Sequence, residues 1–177
     1  MKRFMIDLET LGTGPNACLL QIGACRFNLR GEITEEVSIE IDPNTSIISG
    51  GVMDTGAVEF WIRQPKEVVD KVWSQKETRV TEWAALDMMN SFLLGADEIW
   101  SHATFDWVIL QNAYKRHRMT PSFHYRSCRD LRTLTSLANI KTIDFTREGM
   151  HHNALDDAKF QVKYAVAAIN SLKGTKQ

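Results

Sequence analysis

The sequence predicts an α/β fold: a mixed five-stranded sheet, an antiparallel meander followed by parallel strands, flanked by helices. Two observations predict it. Apolar strand segments joined by a short turn come first in the chain, and short strands then alternate with helical patterns. The 177 residues contain no repeat and no linker-like stretch, and they are about as many as one domain of roughly 100–200 residues needs. We therefore expect a single domain over residues 1–177.

The first three strands are predicted to form the meander. Residues 4–8 are a short apolar strand, and residues 19–27 are a second one. Residues 28–31 supply turn residues, after which apolar residues alternate over residues 37–41 and predict a third strand. Two strands joined by a short turn that contains glycine are antiparallel neighbours.

Helical patterns follow the meander. Residues 42–56 show little periodicity and predict a loop, whereas residues 57–64 predict a short helix that stops at Pro65. Thr81 is placed to cap a longer helix that Gly95 ends. The apolar residues that recur in it at helical spacing are Trp83, Leu86, Met89 and Leu93.

Strands and helices alternate in the second half of the chain. Residues 98–102 predict a strand that leads directly into a helix over residues 105–117, and residues 125–128 predict the fifth strand. Residues 154–172 predict the last helix. One face of this helix carries Phe160, Tyr164, Ala167 and Ala168.

Composition and charge exclude several classes of protein. With 21 basic and 22 acidic side chains the formal net charge is −1, which excludes a polycation that coats nucleic acid everywhere. No apolar run reaches the roughly 18–20 residues needed to cross a bilayer, and Asp7 falls where a signal peptide needs its apolar stretch. The three cysteines form no C-x-x-C pair, which argues against a disulfide framework or a zinc site. We therefore expect a cytoplasmic protein (bacterial, or in the host cytoplasm if a phage encodes it) with no membrane association.

Two acids at the end of the first strand are the first candidate site residues. In Asp7-Leu8-Glu9 the two carboxylates are two positions apart on a strand and therefore point to the same face. Adjacent anions repel each other, so such a pair is favourable where a cation offsets the charge. Two solvated acids at a strand end are the alternative explanation of so short a motif.

Two further segments carry acids at predicted helix starts. Asp106 follows the strand at residues 98–102 and lies in the first turn of the next helix. His152 lies just before the last helix and Asp157 lies one turn inside it, so both can face a common point. Each acid taken alone also suits a helix start, where a negative charge meets the helix dipole favourably.

Together, these segments resemble the DEDDh 3'-5' exonuclease superfamily of the RNase H-like fold, and within it the RNase T-like, phage DexA-type branch. The resemblance spans roughly residues 4–170. The matching segments are Asp7-Leu8-Glu9-Thr10-Leu11-Gly12, Ile22-Gly23-Ala24, Glu59-Phe60-Trp61, Asp106, and His152 with Ala154, Asp157 and Ala158.

His151 and Asp156 repeat the His-to-Asp spacing one residue earlier. Only His152 and Asp157 place an alanine at both of the family's small positions, so the later register is the predicted one. His151 is then expected to be a surface neighbour of the site.

The resemblance implies a metal-dependent 3'-5' exonuclease that hydrolyses phosphodiester bonds at the 3' end of single-stranded RNA or DNA and releases 5'-mononucleotides. Two Mg²⁺ ions, for which Mn²⁺ can substitute, would clamp the attacking and leaving oxygens from about 3.5–4 Å apart. His152 would be the general base that takes the proton from the attacking water. The implied metal ligands are Asp7, Glu9, Asp106 and Asp157.

Substrate contacts are predicted from charge and from the resemblance. Six basic residues against one acid lie between residues 115 and 132, which predicts either a phosphate-binding track that includes Arg129 or a solvated surface. The resemblance places Leu11 and Phe105 against the terminal bases and the backbone near Thr10 at the terminal nucleotide. The implied partner is the 3' end of a single-stranded nucleic acid, and analogy with related enzymes adds a homodimer.

Two other functions are compatible with the same fold. A catalytically silent nucleic-acid-binding module would need to lose only one carboxylate, and here the set of five residues is complete. A polymerase-associated proofreading subunit would keep the chemistry and add a protein partner. The sequence leaves the choice between RNA and DNA open.

Overall fold

The structure, a computed structural model, describes residues 1–74 and 76–174, and its centre over these residues is a five-stranded sheet in the order β3-β2-β1-β4-β5. β1, β2 and β3 pair antiparallel, whereas β4 runs parallel to β1 and β5 parallel to β4. The predicted mixed sheet is therefore confirmed. The strands are β1 (Arg3–Thr10), β2 (Leu19–Phe27), β3 (Ile33–Glu40), β4 (Glu98–Ser101) and β5 (Cys128–Asp130).

Helices flank the sheet, and short 3₁₀ turns connect some of them. The helices are α1 (Pro43–Ile48), α2 (Thr55–Ile62), α3 (Lys66–Ser74), α4 (Glu82–Phe92), α5 (Asp106–Arg116), α6 (Leu131–Leu137) and α7 (Ala154–Gly174). The 3₁₀ turns are Lys76–Thr78, Tyr125–Ser127 and Thr142–Asp144. None of the helices in the described part of the chain has the length and apolarity that spanning a membrane requires.

Both faces of the sheet are covered by helices. On β1, Phe4, Ile6 and Leu8 belong to a buried cluster that also contains residues of α4 and α5. Met5 belongs to a second cluster, formed with residues of α6 and α7. Because side chains alternate along a strand, Asp7 and Glu9 follow Met5 on the face that α7 covers.

Residues 42–56, predicted to be a loop, contain α1 and the start of α2, so this prediction is wrong. The Asp42 carboxylate accepts a hydrogen bond from the Asn44 backbone N–H, and Pro43 occupies the first turn of α1, where a missing N–H costs little. The Asp54 carboxylate caps α2 by accepting from the Ala57 backbone N–H. Caps rather than apolar spacing define these two helices, which is why periodicity did not indicate them.

The fifth strand was predicted at residues 125–128 and lies instead at Cys128–Asp130, after a 3₁₀ turn. So short a strand is placed by its pairing, and here Cys128 pairs with Ile99 and Asp130 with Ser101 of β4. The pairing partner, not the local apolar pattern, therefore sets the position of β5.

The residues that recur at helical spacing in two helices are not all buried. Trp83 of α4 is 52% exposed, whereas Leu86, Met89 and Leu93 are fully buried. On α7, Tyr164 and Ala168 are buried, but Phe160 and Ala167 are only half-buried. The sheet covers a broader stripe of this helix than the sequence pattern indicated. The additional buried residues are Ala158, Gln161, Val162, Ala165, Val166 and Ile169.

Candidate active site

Asp7 and Glu9 lie side by side at the carboxyl end of β1, as predicted. Asp7 pairs with Gly23 of β2, Glu9 pairs with Gln21, and the register shifts immediately after Glu9. Such an irregularity increases the local twist and often occurs beside active sites. Both side chains are nearly inaccessible, at 9% and 8% exposure. The Asp7 carboxylate accepts a hydrogen bond of 2.6 Å from the Gln161 side-chain amide of α7.

Asp106 reaches the same end of the sheet from the first turn of α5. β1 and β4 pair only over Arg3–Met5, so the Leu8 backbone N–H is free to donate to Asp106 Oδ1 at 3.2 Å. Asp106 Oδ2 accepts from the His102 backbone N–H at 2.9 Å. With 1% exposure, Asp106 is fixed between the ends of two strands.

Asp157 is placed by the packing of α7 against β2. Gly23 has no side chain, and a Cβ there would lie 2.1 Å from the Ala154 carbonyl carbon. The Gln21 side-chain carbonyl accepts a hydrogen bond of 2.7 Å from the Ala154 backbone N–H at the start of the helix. The first turn of α7 therefore lies directly on the sheet, which brings Asp157 to the acids of β1.

His152 occupies the turn before α7 with φ 60°, a backbone region that residues other than glycine seldom adopt. Its backbone N–H donates to Asp157 Oδ2 at 3.1 Å. Its ring makes edge contacts with Phe60 and Trp61 of α2, with centroid distances of 4.9 and 6.2 Å. The helix that resembles the family's aromatic segment thus holds the imidazole in place.

The structure brings the five predicted catalytic residues together in two groups. Glu9, His152 and Asp157 each offer a ligand atom, and these atoms lie within 4.8 Å of one another. Asp7 and Asp106 form a second such group with His102. Sequence reasoning missed His102, although its place at the end of β4, four residues before Asp106, was a usable signal.

Burial raises the pKa values of three of these carboxyl groups, and repulsion between neighbouring acids adds to the rise for Asp7 and Glu9. For Asp7, burial is the largest cause, followed by the charges of Asp106, Glu9 and Asp157, and its pKa lies well above the ordinary value. Burial and the same kind of repulsion raise the pKa of Glu9 to about 8. Burial raises the pKa of Asp106 to about 7, against the backbone hydrogen bonds that it accepts. Ionisation of these carboxyl groups is unfavourable without a counter-charge, so the site is suited to a cation.

Arg147 supplies one positive charge to this site. Its guanidinium forms an ion pair with Asp157 Oδ1 and lies over the Phe160 ring, 4.3 Å from the centroid. Among the described residues, the buried side-chain carbonyl oxygen of Gln161 has no hydrogen-bond partner, although the amide nitrogen of the same side chain contacts Asp7. A buried acceptor beside a carboxylate cluster also fits a cation or its bound water.

Two cavities flank the acids. One of about 480 Å³ is lined by Asp7 and Asp157 together with Arg132, Arg147 and both histidines of the 151–152 pair. Another of about 270 Å³ is lined by Glu9, Thr10 and Phe105, as well as by Phe60 and Trp61. Arginine side chains line one cavity beside the acids, and aromatic side chains line the other.

The predicted substrate-contact residues are only partly brought together. Thr10 and Phe105 line the smaller cavity, whereas Leu11 is 5% exposed and packs beside Trp61 in a small buried cluster. Arg129 lines a separate cavity with Arg3, Glu98 and Trp100. Of the predicted basic track, only Arg132 lines a cavity beside the acids.

Arg116, also part of that predicted track, is buried. It forms an ion pair with Glu82 of α4, a fully buried carboxylate that also accepts hydrogen bonds from Ser46 and Ser49. His117 Nε2 lies 2.7 Å from the same carboxylate. This network joins α1, α4 and α5, so Arg116 contributes to packing and not to a phosphate-binding surface.

Comparison with known families gives one match. The model of the Rv2179c-like 3'-5' exoribonuclease domain matches residues 2–169, which include all five predicted catalytic residues. A comparison with curated proteins finds no match.

Solved structures of exonuclease I are similar to this chain in fold. An E. coli exonuclease I in complex with a dT13 oligonucleotide is 20% identical, with a TM-score of 0.64 over 99% of this chain and 41% of that one. A zinc-ion-bound form of an E. coli exonuclease I–single-stranded DNA complex is 18% identical, with a TM-score of 0.65 over 99% and 41% of the two chains. The chain thus spans about two fifths of the length of these proteins.

Proposed function

Since the chain belongs to the Rv2179c-like family of 3'-5' exoribonuclease domains, we propose that it removes nucleotides one at a time from the 3' end of single-stranded RNA. Membership confirms the predicted class, a 3'-5' exonuclease, and the likeness to exonuclease I confirms the predicted fold. The RNase T-like, DexA-type branch stays a prediction. The observation that carries the proposal is the convergence of Asp7, Glu9, Asp106 and Asp157 with His152.

The metal ligands in this proposal are the four carboxylates. They come from β1, α5 and α7, they are largely buried, and burial raises the pKa values of three of them, with repulsion between the acids adding to the rise for Asp7 and Glu9. Carboxylate oxygens are the ligands that Mg²⁺ and Mn²⁺ prefer. When bound, two such ions would activate a water and offset the negative charge that develops on the phosphate oxygens. His102 is placed to add a nitrogen ligand beside Asp7 and Asp106.

His152 is the general base in this proposal. Burial is the largest cause that lowers the pKa of its imidazole, although the charge of Asp157 opposes it. A lowered pKa keeps the ring neutral at pH 7, so it can accept the proton of an attacking water. The aromatic edges of Phe60 and Trp61 restrict the ring to one orientation beside Glu9 and Asp157.

Two surfaces are proposed to hold the substrate. Phe105, Phe60 and the backbone of Thr10 line a cavity that can stack a base without selecting its identity. Arg132 and Arg147 line the opposite cavity and can pair with phosphate oxygens. The family is described as exoribonuclease, so RNA is the proposed substrate, while single-stranded DNA is bound in the exonuclease I complexes.

The test uses single strands of matched RNA and DNA sequence labelled at the 5' end. With Mg²⁺ or Mn²⁺ the labelled RNA should shorten stepwise with release of 5'-mononucleotides, and EDTA should stop the reaction. Asp157→Asn serves as the inactive comparison. Absence of shortening of every substrate in the presence of metal would contradict the proposal, and equal oligonucleotide binding by wild type and variant would then favour a silent binding module.

The proposal also includes a single exonuclease domain and, by analogy, a homodimer. Light scattering of the purified chain measures its mass in solution. A mass of about 20.2 kDa would contradict the dimer without affecting the proposed chemistry.

A further inference from the structure

Arg147 contacts a proposed metal ligand directly. It lies on the segment between the 3₁₀ turn at Thr142–Asp144 and α7. Its guanidinium forms an ion pair with Asp157 Oδ1, and its flat face lies over Phe160, three residues further along α7. The side chain is 22% exposed, so this pair is largely shielded from solvent.

Lys163 of α7 contacts both sequence neighbours of Arg147, the backbone of Thr146 and the side chain of Glu148. Lys163 Nζ donates to the Thr146 backbone carbonyl at 3.2 Å and lies 2.9 Å from the Glu148 carboxylate. Arg147 is therefore held at its base by Thr146 and Glu148, while its guanidinium extends along α7 towards the acids. Its position is set by these contacts rather than by the ion pair alone.

The same guanidinium also lines the cavity of about 480 Å³ with Asp7, Asp157 and Arg132. An arginine offers five N–H donors in a planar fork, and the pair with Asp157 Oδ1 leaves some of these donors for other acceptors. The charge of Arg147 also reaches Glu9, where it opposes the rise in pKa that burial causes. Arg147 thus already neutralises carboxylates at the place where a divalent ion would do so.

We propose that Arg147 has two alternating partners: it neutralises Asp157 until a divalent ion takes that carboxylate, and it then binds a phosphate oxygen of the substrate. The proposal rests on the proposed exonuclease function. A guanidinium and a divalent ion compete for Asp157 Oδ1, because the two cations repel each other. Once Arg147 leaves Asp157, its stacking on Phe160 and its anchored backbone keep it at the cavity wall. A substrate phosphate is the anion there that replaces its lost partner.

The proposal predicts opposite effects of one substitution on two ligands. In Arg147→Ala, Mn²⁺ measured by isothermal titration calorimetry without nucleic acid should bind about 3–10-fold more tightly, because it no longer displaces a cation from Asp157. The KM for a single-stranded oligonucleotide should rise about tenfold or more, because a charge-assisted hydrogen bond is lost. A substitution that merely disturbed the site would weaken both interactions.

The variants are chosen so that charge and structure can be separated. Arg147→Gln removes the charge but retains a long polar side chain, so it should repeat the effects of Arg147→Ala. Arg147→Lys keeps the charge but loses the planar fork, so it should restore the wild-type Mn²⁺ affinity and only part of the wild-type KM. Arg30→Ala removes one positive charge from the exposed turn between β2 and β3, at the end of the sheet opposite to Glu9. Arg30→Ala should leave both Mn²⁺ affinity and KM unchanged.

Unchanged or weaker Mn²⁺ binding by Arg147→Ala and Arg147→Gln would overturn the competition for Asp157. An unchanged KM would overturn the phosphate contact. If the wild-type protein shortened no oligonucleotide, the proposed function would fail instead. The calorimetric comparison needs no turnover and would still decide whether Arg147 competes with an ion.

Discussion

His152 has two properties at the residue scale that determine how it should be tested. Its φ of 60° favours glycine or asparagine, and its ring is the proposed proton acceptor. His152→Asn should therefore fold, retain metal binding through the four carboxylates, and lower kcat by about 10²–10⁴-fold with little change in KM. Steady-state kinetics on a single-stranded RNA, with circular dichroism to monitor folding, provide the measurement.

His151→Asn is the matched control, because His151 is exposed and adjacent in sequence. We expect kcat of this variant to stay within about threefold of the wild type. A similar loss of kcat in both variants would show that the assignment of the proton acceptor to His152 is wrong.

Substitution of Asp7 tests how carboxylate repulsion and metal binding each affect the melting temperature. Its pKa is raised by burial and by three neighbouring acids, so removing its charge relieves repulsion when a chelator is present. Asp7→Asn should raise the melting temperature in EDTA by a few degrees, since about 1 kcal/mol corresponds to roughly 2–4 °C in a domain of this size. The increase in melting temperature caused by Mn²⁺ should be smaller in Asp7→Asn than in the wild type, because one metal ligand is lost.

Calorimetric scans of Asp7→Asn and wild type, each with EDTA and with Mn²⁺, measure both effects. Equal Mn²⁺-induced gains in the two proteins would place the ions elsewhere. A lower melting temperature of the variant in EDTA would indicate that the hydrogen bond from Gln161 stabilises Asp7 more than its neighbours destabilise it.

The proposed ligands and the base are the residues that the sequence could indicate, because their chemistry requires fixed residue types in a fixed order. The arginines proposed to bind phosphate were harder to predict. Arg129 and Arg132 are equally basic in sequence, yet only Arg132 lines the cavity beside the acids. Arg147 lies outside the basic segment at residues 115–132, and its proposed contact with phosphate depends on its stacking against Phe160. The direction in which a long side chain points depends on packing, and the number of charges in a segment does not reveal it.

At the scale of elements, the contact between β2 and α7 determines whether the site assembles. The two matched motifs, Ile22-Gly23-Ala24 and the alanine at 154, meet here, because only a glycine at 23 leaves room for the helix start. Gly23→Ala should therefore push the first turn of α7 away from the sheet. We expect a loss of about 1–3 kcal/mol in the free energy of unfolding and a larger loss of activity, since Asp157 and His152 move with the helix.

Gly14→Ala is the control for this experiment, because a Cβ at Gly14 meets nothing within 4 Å. Urea denaturation and kcat/KM of the two variants give the comparison. Full activity in Gly23→Ala, or equal destabilisation by both variants, would show that this contact does not position the helix.

Short helices were the elements that the sequence did not predict. Beyond α1, the nine residues of α3 and the seven of α6 were not predicted at all. The Asp130 side chain caps α6 by accepting from the Thr133 backbone N–H, and Asp130 also ends β5. Helices of this length are marginal alone and form through caps and packing. Long elements such as β2 and α7, in contrast, carry enough periodic residues to be recognised.

At the scale of the whole molecule, folding itself brings the repelling acids together. They come from residues 7 to 157, so the unfolded chain keeps them apart and ionised at neutral pH. The folded protein raises the pKa of Asp106 from 3.8 to about 7 and that of Glu9 from 4.5 to about 8. Between the unfolded and folded pKa values of each group, the folded state therefore holds a proton that the unfolded state has released.

This difference in bound protons between the folded and unfolded states determines whether the free energy of unfolding rises or falls with pH in EDTA. A carboxyl group with a raised folded-state pKa contributes stability below its unfolded pKa and loses it as pH rises through the folded pKa. His102 and His152, whose pKa values are lowered by burial, act in the opposite direction, but only near and below 6.5. Between pH 7 and 8.5 the contributions of Glu9 and of Asp7, whose pKa is also raised, should dominate, so the free energy of unfolding should fall across this interval.

Urea titrations in EDTA at pH 7, 7.5, 8 and 8.5 measure this fall. Glu9→Gln removes one of the titrating groups and should reduce the fall in the free energy of unfolding, whereas saturating Mg²⁺ should reverse or abolish the fall in the wild type, because ions bind the ionised carboxylates of the folded state. A free energy of unfolding that stays constant in EDTA, or a fall of equal size in Glu9→Gln, would mean that folding does not raise the pKa of Glu9. The four carboxylates would then lack the electrostatic need for a cation from which the proposed metal site is argued.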